Sequence, residues 1–174
     1  MLGEFILEYD ADFVLLQEVT NVNTINVRGY QTVENIGTTE RWTAILSKVD
    51  LQLRRIKRLP SGRGIATYFD NTSLINFYAP SGAAHRAERE AFFNTEILDM
   101  IPHTPTDTIL AGDFNCVIPS VDCTGHCNRS RALERLIQGL GLVDIWEATA
   151  DRQVFTHYTS TGAARLDMIY VTKE

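Results

Sequence analysis

The spacing of its apolar runs constrains this chain more than any other feature. Between residues 12 and 80 the apolar stretches last strand lengths and are broken by short turns: "DFVLLQEV" (12–19), "WTAILSK" (42–48), "LQLRRIKRL" (51–59), "GIATYF" (64–69) and "SLINFYAP" (73–80). Ser61-Gly62-Arg63-Gly64 fits a hairpin loop. Helical spacing occurs in three places. Residues 2–9 set Leu2, Phe5, Ile6 and Tyr9 on one side. Residues 84–101 set Phe93, Ile97, Met100 and Ile101 on an inner face, with Pro102 and Pro105 as the stop. Residues 129–142 carry the stripe Leu133, Leu136, Ile137 and Leu140, and Gly139 and Gly141 offer the C-terminal stop. A strand at 107–111 precedes an irregular stretch from 112 to 127, and strands at 153–159 and 164–172 flank a Ser-Thr-Gly turn. Many strands with a few interspersed helices predict a layered α/β (α+β) architecture.

A chain of 174 residues with 44% hydrophobic side chains can bury the core of a single domain. No apolar run approaches the roughly 18–20 residues that span a membrane. Glu4 and Glu8 rule out a signal peptide in "MLGEFILEYDADF", so an intracellular protein with no membrane contact is expected. Cys116, Cys123 and Cys127 are too few and too clustered for a disulfide scaffold, which predicts a reduced chain. The net charge of −6 gives no support for nucleic-acid binding through bulk charge, although a local basic strip would suffice. Candidate strips are Arg54, Arg55, Lys57, Arg58 and Arg63, then Arg86 and Arg89, then Arg129, Arg131 and Arg135. The ordinary solvated face is the stronger reading of each.

Chemistry is concentrated where strands end. "VLLQE" ends on Gln17 and Glu18, "INFYAP" on Tyr78, and "ILAGDFN" on Asp113 and Asn115. Asp167 lies within the strand "ARLDMIY", and alternation sends it to the face opposite Leu166 and Met168, beside Ile169. A carboxylate on a covered face needs a partner. A hard divalent cation takes oxygen ligands, keeps several waters and uses one or two protein carboxylates, a role that suits Glu18 and Asp113. An amide such as Asn115 can hold a phosphate oxygen without adding charge, and the Tyr78 phenol can donate to one. The set fits metal-assisted attack on a phosphate ester. The plainer alternative is an Asx-type turn at Asp113-Phe114-Asn115 and a solvated strand end at Glu18.

With these motifs in view, the sequence resembles the endonuclease/exonuclease/phosphatase superfamily. More narrowly, it resembles the endonuclease domain of LINE-type (non-LTR) retrotransposons. "LLQEV", "NFYAPSG…RAEREAFF", "LAGDFNCV…DCTG", "SRALERLIQGLGLVDIWE" and "FTHYTSTGAARLDMIYV" occur in that family's order along essentially the whole chain. The resemblance implies a four-layer sandwich of two mixed β-sheets flanked by helices. It implies that Glu18 binds Mg²⁺ (or Mn²⁺), that Tyr78 contacts the scissile phosphate, and that Asp113 orients or deprotonates the attacking water. Asn115 would help place that water and the phosphate. Thr156 matches a position supporting the active-site loop, Asp167 matches the aspartate that orients a histidine, and Arg165 would face the DNA backbone. Ala164 stands where many relatives have Ser. The implied partners are double-stranded DNA and the reverse transcriptase region of the parent polyprotein, with nuclear action on one DNA strand that leaves a 3′-hydroxyl as primer.

The family also begins with a strand bearing an Asn and ends on an "SDH"-type motif. This sequence opens on a helix and stops at "VTKE", and none of His85, His103, His126 or His157 has the context of the motif's histidine. The expectation is therefore a single domain over 1–174 that is incomplete at both ends, marginally stable and poorly active. Two rival readings follow: a non-catalytic remnant or DNA-binding fragment, and another phosphodiesterase of the superfamily, such as an apurinic endonuclease. Other signals fail on their own terms. "CTGHC" has no C-x₂-C pair for zinc, "DFNCVIPSVDCT" lacks the Gly and Glu of a calcium loop, and "GRG" lacks a third Gly for a dinucleotide site.

Overall fold

A computed structural model describes residues 2–21, 25–39, 41–103, 106–118, 122–148 and 154–173. Two sheets face each other, with α1 (Leu2–Tyr9) outside one and the remaining helices outside the other. The smaller sheet holds β1 (Phe13–Val19), β2 (Tyr30–Asn35) and β3 (Trp42–Lys48) in the order β1-β3-β2, all antiparallel. The larger sheet has the order β4-β5-β6-β7-β11-β8. Its strands are β4 (Arg54–Arg58), β5 (Gly64–Phe69), β6 (Thr72–Tyr78), β7 (Asp107–Asp113), β8 (Leu142–Asp144) and β11 (Asp167–Thr172). Only β6 and β7 pair in parallel, which makes this sheet mixed. The short hairpin of β9 (His157–Thr159) and β10 (Gly162–Ala164) stands apart.

A parallel pair needs a crossover, and residues 83–100 supply it. A 3₁₀ turn leads into α2 (Arg86–Ala91), a π-helical stretch (Phe92–Ile97) and α3 (Leu98–Met100). The expected inner face holds for Phe93, Ile97 and Met100, and the wider π turn adds Phe92 to the core. The last helix, α4 (Arg131–Leu140), begins where the Ser130 hydroxyl accepts the Leu133 N–H at 3.1 Å and ends on left-handed Gly141. Phe77, Phe92, Phe93 and Phe114 interlock between these helices and the larger sheet, with the Phe77 and Phe114 rings 4.6 Å apart. Val33, Ile45, Ile65 and Leu74 fill the space between the sheets, and Ile6, Val27 and Leu46 fasten α1.

Several sequence expectations shift. β2 and β8 emerge where none was expected, because the β2 run "YQTVEN" is largely polar and β8 is three residues long. The strand expected over 51–59 contracts to an exposed edge of Arg and Lys, the charge pattern that keeps a sheet edge from pairing with another chain. Only Ile6 of α1 is buried; Leu2, Phe5 and Tyr9 face outward. The Gln153 end of the expected strand and the Pro105 stop lie outside the described residues. Beside β1, whose second edge has no partner among the described residues, runs a groove of about 760 Å³ lined by Phe5, Leu15, Ile109 and Ile169.

Candidate active site

The site is assembled by strand register. Tyr78 of β6 pairs with Asp113 of β7, and Asp113 pairs in turn with Asp167 of β11. Partners in register share a face. The three side chains therefore form one row across adjacent strands, on the face opposite Phe77 and Phe114. Strand spacing puts about 5 Å between neighbours.

Gly112 makes the row possible. Its φ is 145°, and a Cβ there would lie 2.0 Å from the Phe77 carbonyl oxygen. Only glycine lets β7 approach β6 this closely just before Asp113. Beyond Asp113 the chain turns through Asn115, at φ 50°. The Asn115 N–H donates to Asp113 Oδ1 at 2.9 Å, and its side-chain Nδ2 donates to the Ala79 carbonyl at 2.9 Å. The Asx turn is thus real, and it fixes both side chains. One amide hydrogen of Asn115 is used on Ala79, and the second remains for a ligand oxygen.

Glu18 arrives from the opposite sheet. Pairing of β1 with β3 slips between Leu16 and Val19, and Glu18 sits in this bulge at φ 55°. A bulge inserts one residue and re-aims its side chain. Gln17, beside it, donates to buried Asn76 at 2.6 Å, and Asn76 in turn donates to the Leu16 and Ala44 carbonyls at 3.1 and 2.9 Å. These bonds lock the bulge to the other sheet.

Sequence reasoning missed Arg41. Its guanidinium is hydrogen-bonded to Glu18 Oε2 and lies 3.4 Å from the Tyr78 hydroxyl. Its only signal was its place immediately before β3, opposite the end of β1. Arg63 also bears on Tyr78, with its guanidinium 5.2 Å from the ring centroid.

Electrostatics sets the chemistry. Burial pushes the Asp113 carboxyl up to about 7, and the negative charges of Asp167 and Glu18 add to the rise. Burial also pushes the Tyr78 phenol above its ordinary value, so it stays a hydrogen-bond donor. Three carboxylates face one cleft, and Arg41 compensates only one of them. That field suits a divalent cation. Among the described residues no three acidic, His or Cys side chains close into a protein-only cage. Magnesium needs none, since it keeps most of its waters; Glu18 supplies the carboxylate ligand it would take.

Three expectations are corrected. Arg165 does not face the DNA backbone: it is 6% exposed, and its guanidinium is held by Asp122 at 2.9 and 3.0 Å and by Asp144. Nε and Nη2 of this guanidinium are both taken by carboxylates, so the side chain is committed within the fold. Asp167 lies on the face expected, but that face borders the open groove, and the carboxylate is exposed. Cys123 and Cys127 are joined in a disulfide, so the chain is not wholly reduced in this structure. Cys116 is buried and its thiol is pushed up to about 12, as fits a small apolar side chain. The Thr156 hydroxyl accepts the Leu166 and Asp167 N–H groups at 3.0 and 3.1 Å, which places it beneath the start of β11.

A family model, the Endonuclease/Exonuclease/phosphatase family, matches residues 1–174. No curated protein matches. Among solved structures, an AP endonuclease from Archaeoglobus fulgidus superposes with a TM-score of 0.76 at 18% identity, covering 99% of this chain and 80% of that one. The 3′ phosphatase NExo from Neisseria, bound to a product DNA hairpin, gives 0.74 at 18% identity, covering 98% and 80%. TDP2 from Caenorhabditis elegans gives 0.69 at 16% identity; the match covers 99% of this chain but only 57% of that structure. At such identities the likeness shows the shared fold.

Proposed function

The chain belongs to the endonuclease/exonuclease/phosphatase family, and from that premise we propose that it hydrolyses phosphodiester bonds in double-stranded DNA. The observation that carries this reading is the row Tyr78–Asp113–Asp167 facing Glu18, with the Asp113 carboxyl raised to about 7. A base with that value is half-ionised near neutrality, where general-base catalysis is most effective.

In this mechanism Asp113 takes a proton from a water molecule, and the water oxygen attacks phosphorus. The bond from phosphorus to O3′ breaks, O3′ takes up a proton from solvent while Asp113 returns its own to solvent, and a 3′-hydroxyl and a 5′-phosphate remain. Tyr78 donates a hydrogen bond to a non-bridging oxygen. The free amide hydrogen of Asn115 holds the phosphate. Thr156 fixes the backbone of Asp167, whose charge helps to keep Asp113 basic. Mg²⁺ or Mn²⁺ held by Glu18 would supply charge neutralisation at the phosphate. Arg165 has no part in binding DNA here.

The retrotransposon reading adds a biological setting: nuclear nicking of a target strand whose 3′-hydroxyl primes a reverse transcriptase region of the same polyprotein. Its support is the order of the "LLQEV", "GDFN" and "SRALERLIQGLGLVDIWE" motifs. The likeness in fold to the Archaeoglobus enzyme supports a second reading, cleavage at abasic sites. Incubation of supercoiled plasmid, intact or depurinated, with the protein and Mg²⁺ or EDTA separates the two. Nicking of intact plasmid that EDTA stops supports the first. Cleavage confined to depurinated plasmid moves the assignment to the second, and no cleavage of either contradicts both.

A further inference from the structure

Two concavities meet along His126, Cys127 and Asn128, and Asn115 lines the first of them. One, of about 310 Å³, is lined by Asn115, Ser81, His126, Asn128 and His157 among others. The next, of about 430 Å³, is walled by Arg86, His126, Asn128 and Arg129. They share His126, Cys127 and Asn128, so a continuous trough leads from the reactive end of β7 to two guanidinium groups.

Arg86 and Arg129 are both exposed, and neither has a carboxylate partner among the described residues. Of the acids near them in sequence, Glu134 lies on α4 and is not among the residues walling this concavity, and three others have partners. Glu88 is held by His85 at 2.8 Å, Glu90 by the Ala132 N–H at 2.9 Å, and Asp122 by Arg165 at 2.9 Å. In a chain of net charge −6, two unpaired arginines in one concavity are a local reversal of sign.

The loop that carries Arg129 is fastened to the site on two sides. Val117, two residues beyond Asn115, donates its N–H to the Asn128 carbonyl at 2.9 Å and bridges to Arg129. On the other side the Thr124 N–H donates to the Ala163 carbonyl at 2.8 Å, and the Thr124 hydroxyl accepts the Ala163 N–H at 2.9 Å. The Cys123–Cys127 disulfide closes the loop between these anchors. Holding a binding group in place before the ligand arrives lowers the ordering cost of binding.

We propose that Arg86 and Arg129 form a subsite for a DNA backbone phosphate flanking the one that is cleaved, an assignment that rests on the phosphodiesterase reading. Guanidinium groups match phosphate oxygens in a two-pronged geometry. No Phe, Tyr or Trp walls this concavity, and its two guanidinium groups outweigh the single His126 ring, so it reads backbone charge rather than bases.

The test compares wild-type protein with Arg86→Ala/Arg129→Ala and Arg86→Lys/Arg129→Lys. Two quantities are measured: duplex affinity against salt, and kcat/KM for duplex DNA relative to bis(p-nitrophenyl) phosphate, which has a single phosphodiester. The alanine pair should flatten the salt dependence by about one phosphate's worth, a slope change of about 0.9. It should also lower the duplex-to-ester ratio about tenfold, with the lysine pair recovering part of both. An unchanged slope, or a parallel fall on both substrates, overturns the subsite while leaving the phosphodiesterase reading intact. Wild-type protein that neither binds duplex nor hydrolyses the ester overturns that reading, and the subsite with it.

Discussion

Asp113 links stability to function at a single carboxyl group. Its folded value of about 7 stands well above the ordinary 3.8, so the folded state holds that proton more tightly than the unfolded chain does. The stabilisation from this group is full below pH 4 and is lost as pH rises through 7. Carrying the carboxyl from 3.8 to about 7 amounts to roughly 4 kcal/mol if no other group responds. Asp113→Asn is therefore expected to raise Tm at pH 8 and to change it little at pH 4, as thermal denaturation at the two values would show. A Tm difference independent of pH would mean that the carboxyl is not raised. Gly112 is a second test at this scale: in Gly112→Ala the new Cβ would meet the Phe77 carbonyl at 2.0 Å. The expected loss is at least about 2 kcal/mol, read from the urea midpoint. The motif "AGDFN" suggested a turn after a buried strand, and the Asx turn is there. What the motif could not show was the φ of Gly112 or the register that aligns Tyr78 and Asp167 with Asp113. Both depend on strands distant in sequence.

Elements position these residues through a few buried polar ties. Arg165 joins the start of β11 to Asp144 on β8 and to Asp122 in the preceding loop. Removing one member of such a group leaves a buried charge unpaired, so Arg165→Ala should cost about 3–5 kcal/mol. A loss under 1 kcal/mol on urea denaturation would contradict a buried triad. The resemblance turned Arg165 toward the DNA backbone, and the burial was not legible because its two carboxylates lie 43 and 21 residues away. The groove beside β1 makes an opposite prediction. Ile169 is 39% exposed there, so Ile169→Lys should leave the urea midpoint nearly unchanged while lowering the fluorescence of a bound apolar dye. A large stability loss would mean that Ile169 is packed. The periodic elements were the legible ones: α4, β3 and β5 lie where their apolar spacing put them. β2 was not, since a strand of "YQTVEN" is fixed by its partner β3 rather than by its own pattern.

Across the whole molecule, two sheets bring their polar strand ends to one edge of the sandwich. Glu18 belongs to one sheet and Tyr78, Asp113 and Asp167 to the other, so the cleft exists only when the sheets are packed together. The layered class was readable because strand-length runs outnumber helical ones. The pairing order was not, because the parallel contact of β6 with β7 depends on the crossover through residues 83–100. The central claim is that this edge hydrolyses phosphodiesters with Asp113 as base. Single-turnover cleavage of an end-labelled DNA duplex in saturating Mg²⁺, by wild-type protein and by Asp113→Asn at pH 7.5, tests it most directly. The expected result is a rate lower by about 10²–10⁴ in the variant, which still binds the duplex. Equal rates in the two proteins would contradict it.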